Sequence, residues 1–115
     1  LESLKKINPK RNITSIFQPH RYSRLKFLKK EFSYSFKFSD KLILCPVYSA
    51  GEKTYKNYDE VEFSKLIAKN SNIQVILIKG QIELYKYLKK NLYKNEIIIG
   101  MGAGSITKWM REINF

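Results

Sequence analysis

Four short stretches of this sequence read as strands, three of them apolar on both faces, and each is followed by a segment with helical periodicity. The stretches are NITSIFQ (12–18), KLILCPV (41–47), IQVILIK (73–79) and EIIIGMG (96–102). Runs such as LILC, VILI and IIIG have no polar alternation, so both faces of the strand must be covered. The intervening segments repeat apolar residues every three to four positions. SRLKFLKKEFSYSFK (23–37) carries Leu25, Leu28, Phe32 and Phe36, and EVEFSKLIAKN (60–70) carries Val61, Phe63, Leu66 and Ile67. QIELYKYLKKNLY (81–93) carries Ile82, Leu84, Tyr85, Leu88 and Leu92, and SITKWMREI (105–113) closes the series. That spacing predicts amphipathic helices. Four strand–helix units in order predict a Rossmann-like α/β domain of three layers. Its sheet is mainly parallel, with core strand order 3-2-1-4, right-handed crossovers and helices on both faces.

At 115 residues, 43% of them hydrophobic, the chain is one domain with enough apolar surface for a core. No apolar run approaches the length of a membrane span, and LESLKKINPKRN at the start lacks the apolar core of a secretory signal. The single cysteine, Cys45, lies in LILCPV and reads as a small buried hydrophobe, which suits a cytoplasmic protein. The net charge of +12 and pI near 9.8 invite a nucleic-acid reading. The lysines are nevertheless spread over every segment, alongside abundant Ile, Asn and Tyr. This is the residue usage of an AT-rich genome, so no nucleic-acid partner is expected.

Residues 17–24 read FQPHRYSR. They hold the only histidine, His20, and two of four arginines, Arg21 and Arg24, in a chain with eighteen lysines. The stretch leaves the first strand and enters the first helix. In the predicted topology that place lies beyond the carboxyl ends of the strands, where strand order reverses and ligands of open α/β sheets bind. Cations at a helix N-terminus oppose the macrodipole. A guanidinium offers carboxylate or phosphate a planar fork that an ammonium lacks. The stretch therefore reads as an anion-recognition turn, against the plainer alternatives of a structural histidine and a solvated helix start.

The last strand ends in GMGAGS (100–105), which faces the same crevice. Gly102, Ala103 and Gly104 are candidates for its lining. Close helix–strand packing, with Ser105 as helix cap, is an equal reading of the glycines. Ser105 stands where a dinucleotide fingerprint needs glycine, and the sequence contains no G-x-x-x-x-G-K-[ST] loop. YSAGEKTY (48–55) follows the second strand, and its Glu52 reads either as a catalytic acid or as a loop charge. One histidine and one cysteine 25 positions apart make no metal site.

Together, FQPHRYSR, YSAGE and GMGAGSI resemble the C-terminal domain of the Mur ligases, over about residues 12–113. The corresponding patterns there are close to F-Q-P-H-R-Y-[ST]-R, Y-x-A-G-E and G-A-G-[ND]-I. Ser49 and Ser105 depart from the residues common at those positions. The P-loop domain, the UDP-binding domain and the D-Y-G-H-H-P motif of the family are absent from the sequence, so the resemblance implies that residues 1–115 are a C-terminal fragment of a longer enzyme. The resemblance implies ATP-dependent amide formation between UDP-N-acetylmuramate and L-alanine. ATP and Mg2+ would be bound mainly outside this part, and the domain would close over its neighbours. It also implies that His20, Arg21 and Arg24 face the cleft and bind substrate, that no catalytic residue or metal ligand lies here, and that residues 1–115 alone are inactive. A sister ligase that adds a preformed peptide, or a free-standing nucleotide- or nucleic-acid-binding module, are the alternatives.

Overall fold

A computed structural model describes residues 6–7, 10–49, 51, 58–91, 96–102 and 105–112. Four strands and four helices alternate: β1 (Asn12–Gln18), α1 (Tyr22–Ser33), β2 (Lys41–Leu44), α2 (Glu60–Ser71), β3 (Gln74–Leu77), α3 (Gln81–Asn91), β4 (Glu96–Gly102) and α4 (Ser105–Glu112). The strands form one parallel sheet in the order β3-β2-β1-β4, as the alternation predicts.

Successive residues of the central strands feed two cores. On one face Ile16 and Ile43 pack with Leu84 and Leu88 of α3 and Ile106 of α4. On the other, Phe17, Leu42 and Leu44 pack with Leu25 of α1 and with Phe63 and Ile67 of α2. Ile13, Ile16, Leu42 and Ile43 are wholly buried, and burying each such side chain contributes about 1.5–3 kcal/mol.

Strand and helix ends depart from the sequence expectation. The ladder between β1 and β2 stops at Phe17 opposite Leu44, because the next donor of its register falls at Pro19, which has no N–H, and Pro46 in the same way offers no donor toward β3. β3 is likewise shorter than 73–79. Helix α1 ends at Ser33 rather than near 37: Tyr34 N–H bonds to Glu31 and Ser35 N–H to Phe32, tight turns that close the helix. Phe36 is still buried, but from this turn and not from a helical stripe. Leu28, Val61 and Ile82, counted among the apolar stripes, are exposed. Residues 92, 93 and 113 of the expected helices lie outside the described residues.

A buried serine joins the ends of α1 and α2. Ser71 Oγ accepts from Phe36 N–H at 3.2 Å and donates to the Ser33 carbonyl at 2.6 Å. Ser71→Ala would strand both backbone groups away from water. The expected cost is about 1–3 kcal/mol, read as a lower urea midpoint at unchanged m-value.

Candidate functional site

The carboxyl ends of β1 and β4 lie side by side, with Gln18 paired to Gly102. A pocket of about 340 Å³ opens there, on the side of the sheet that carries α1. Phe17, Phe32, Phe36 and Met101 form its apolar walls. The first three are one aromatic cluster, with Phe17 5.4 Å from Phe32 and 5.2 Å from Phe36 between ring centroids. Its polar lining is Gln18, His20, Arg24 and Ser35, and Gly102 completes it. No acidic side chain is among these residues.

The structure therefore brings His20, Arg24 and Gly102 together, as the sequence suggests. His20 is half-buried and Arg24 exposed at the rim. Arg21 is different: it is exposed and does not line the pocket. It is the N-cap of α1, with φ 66° and ψ 137° and no side-chain capping bond. Its backbone N–H donates to the Tyr48 carbonyl at 2.7 Å. Positive φ in a non-glycine residue is uncommon and costs free energy. Ala103, Gly104 and Glu52 lie outside the described residues.

The two helix starts on this face contrast. At α2, Asp59 Oδ1 accepts from the N–H groups of Val61 at 2.9 Å and Glu62 at 3.1 Å, and acids fill the first turn. At α1 the cap is an arginine and the first turn has no acid. An uncapped, acid-free N-terminus leaves its partial positive charge for an anion.

The glycines answer to packing. A Cβ at Gly100 would come within 2.8 Å of Met110 Cγ, so glycine lets α4 settle on β4. At Gly102, φ is +125° and a Cβ would overlap the Gln18 carbonyl oxygen. Gln18 itself went unremarked in the sequence, although it sits in FQPHRYSR. Its side chain is 3% exposed, and its Oε1 accepts the Ile106 N–H at 2.8 Å, tying the start of α4 to the end of β1. Tyr48, also not singled out, stacks on His20 with centroids 5.6 Å apart and planes 20° from parallel.

Two other polar groups of interest belong to the core. Burial pushes the Cys45 thiol up to about 12, so it is protonated and unreactive near neutrality. Burial, and then the charges of Glu60 and Asp59 and the neighbouring Tyr22, raises the Tyr58 phenol as well. The Tyr58 hydroxyl is buried with no hydrogen-bond partner among the described residues.

No protein-family model matches the chain. Among curated proteins, the UDP-N-acetylmuramate–L-alanine ligase of Pelagibacter ubique is 48% identical over 101 residues, covering 88% of this chain and 22% of the relative. The ligase of the same name from Fusobacterium nucleatum is 41% identical over 113 residues, 98% of this chain and 23% of the relative. That of Dictyoglomus turgidum is 38% identical over 114 residues, 94% and 23% respectively. The chain thus spans about a fifth of the length of the curated relatives it matches, and the match falls on their C-terminal part.

Two outcomes test this geometry. Gly102→Ala places a side chain at φ +125° against the Gln18 carbonyl. It should lose at least about 1–3 kcal/mol of stability from backbone strain alone, seen as a lower melting temperature. Cys45 should resist Ellman's reagent at pH 8 until denaturant is added. Its folded pKa lies above the unfolded one, so the native state holds its proton where the unfolded chain releases it. The thiol's contribution to stability is therefore complete below the unfolded pKa and is lost as pH rises toward about 12.

Proposed function

The chain belongs, as their C-terminal part, to the family of UDP-N-acetylmuramate–L-alanine ligases, and from that premise we propose that it is the C-terminal domain of an ATP-dependent ligase. In this proposal the longer protein joins L-alanine to UDP-N-acetylmuramate in peptidoglycan synthesis, in the cytoplasm, and residues 1–115 supply part of the substrate site when the domains close. The observation that carries it is the pocket at the carboxyl ends of β1 and β4, where Arg24 and His20 meet at the acid-free start of α1.

Each group has a role in that reading. Arg24 presents a fork to a substrate carboxylate or phosphate, and the start of α1 adds its dipole from the same side. His20 orients the bound amino acid. Arg21, outside the pocket but one helical turn from Arg24, offers a second guanidinium at the mouth, where another domain would close. The apolar walls displace water, so a charge-assisted contact is stronger there than in bulk solvent. Gly102 lets β4 approach β1 closely enough to shape the wall, and the proposal extends to Ala103 and Gly104, which follow it in sequence.

The proposal assigns ATP and Mg2+ mainly to other parts of the longer protein. The described residues do not fit a magnesium site, since no three His, Cys, Asp or Glu side chains among them gather where a cation could be held. No phosphate-binding loop occurs in the sequence. ATP would supply the activation of the lactyl carboxylate. What this chain's residues do is bind and orient the anionic partner. No helix among the described residues is long and apolar enough to cross a membrane.

The test is Arg24→Lys in the longer ligase. The charge remains and the fork is lost, so kcat/KM for L-alanine or the nucleotide sugar should fall about tenfold or more, a loss of about 1.4 kcal/mol or more of transition-state binding. The melting temperature should not change, because Arg24 is exposed. A variant that unfolds while the surviving enzyme turns over normally would make Arg24 structural and refute the site. Residues 1–115 alone should show no ATP hydrolysis.

A further inference from the structure

We propose that Tyr48 is a positioning residue of this pocket: its ring fixes the plane of the His20 imidazole at the rim, and a bulge around Pro46 is what brings the two rings into register. The inference rests on the reading of the pocket as a carboxylate site, and deepens it.

The β1–β2 ladder is regular up to Phe17 opposite Leu44. Cys45 N–H still donates to the Phe17 carbonyl at 2.8 Å. Pairing then resumes as a single parallel bridge between His20 and Tyr48. Between these two pairs, Cys45, Pro46 and Val47 on the β2 side stand opposite only Gln18 and Pro19 on the β1 side. The extra residue is a β-bulge, rare in parallel pairs, and bulges re-aim the side chains that follow them. Proline suits it, since a bulged position needs no ladder donor. Without the additional residue, the continued register would set Val47 opposite His20, and no ring would stand beside the imidazole.

Two hydrogen bonds lock the bridge. Tyr48 N–H donates to the Pro19 carbonyl at 2.8 Å, and Arg21 N–H donates to the Tyr48 carbonyl at 2.7 Å. They bracket His20 on both sides. The second of them also holds Arg21 at φ 66°. Paired residues of a parallel ladder put their side chains on the same face, and the rings stack accordingly, 5.6 Å apart and 20° from parallel.

The torsion about the imidazole's second bond is broad when nothing packs on the ring. A stacked neighbour removes that freedom before a ligand arrives, so binding does not have to order the ring. Tyr48 itself is not among the pocket's lining residues. It acts through His20, and its aromatic face rather than its hydroxyl is what the stack uses.

The chain has one histidine, so imidazole NMR signals report on His20 alone. In the wild-type chain they should show an upfield ring-current displacement and nuclear Overhauser contacts to the Tyr48 ring. Tyr48→Phe should keep the displacement, and Tyr48→Leu should lose it, with circular dichroism checking that both remain folded. Titrating L-alanine and, separately, acetate should then move the His20 signals saturably in wild type and Tyr48→Phe. In Tyr48→Leu the affinity should fall at least fivefold. Wild-type spectra without ring-current displacement or Tyr48 contacts overturn the inference without recourse to any variant. So does a Tyr48→Leu chain that binds as wild type does, or a Tyr48→Phe chain that loses as much as Tyr48→Leu. A wild-type chain with the stack in place but no saturable response to either probe overturns the carboxylate reading, and the inference with it.

Discussion

Strand β1 is buried on both faces and paired on both edges, and the rest of the molecule is arranged around that constraint. Ile13, Thr14, Ser15, Ile16, Phe17 and Gln18 are all buried. Its backbone groups are satisfied by β2 on one side and β4 on the other. Its buried polar side chains need partners as well: Thr14 donates to Glu96, Ser15 and Ser39 share a hydrogen bond, and Gln18 accepts from the start of α4. Two layers of helix must cover such a strand. The chain meets this by winding β2 and β3 to one side and returning to the other for β4, so that the order reverses at β1. The crossovers leave from its two flanks, and its carboxyl end opens into a crevice.

The two ends of the sheet are dressed differently. At the amino end, charge is consumed by structure. Asp40 accepts the Ile13 N–H at 2.6 Å, while its own N–H returns to the Ile13 carbonyl at 2.8 Å. The Glu96 carboxylate, nearly buried, takes Thr14 on one oxygen and has Lys41 3.8 Å from the other. At the carboxyl end, Arg24 faces no acid among the pocket's lining residues, and the helix that begins there has no side-chain cap. One end is closed by internal pairing. The other keeps positive potential toward solvent, as a surface does that meets an anion.

How much of this the sequence carried depends on the range of the interaction that decides each feature. Two-sided burial is local to a strand, so LILC, VILI and IIIG announced the sheet and its covering layers. Residue scarcity is also local, and a lone histidine beside two arginines in a lysine-rich chain pointed to His20, Arg21 and Arg24, of which the structure puts His20 and Arg24 in one pocket. The ends of β2 and β3 were not legible, because pairing with a neighbour and the bulge at Pro46 decide where a ladder stops. Phe36 kept helical spacing but sits in a turn, since the alternation cannot tell an apolar residue on a helix from one that a turn delivers to the same core. Arg21 and Arg24 share the same chemistry, yet only Arg24 lines the pocket. A positive φ at the helix cap separates them, and nothing in the residue type of Arg21 signals it. Gly102 was visible as a glycine; its reason, the Gln18 carbonyl of the neighbouring strand, is a tertiary contact.

The strain at Arg21 can be weighed against what holds it. A non-glycine residue in a sparsely populated backbone region costs about 1–3 kcal/mol, and a cation at a helix N-terminus adds about 0.3–1 kcal/mol. The two hydrogen bonds of the Tyr48 bridge contribute about 0.5–1.5 kcal/mol each. The sums are comparable, so the bridge can hold the turn without help from a ligand. Glycine at position 21 would relieve the backbone and remove the cost of charge, and a Ser, Thr, Asp or Asn there would cap α1. Arginine does neither. Folding therefore gives no reason for this residue at this place. The backbone of Arg21 is fixed by the same bridge that fixes His20, while its side chain is exposed. In the proposed function, a guanidinium held on a strained, well-anchored backbone would meet what approaches from outside the domain, the closing domain and its anionic substrate.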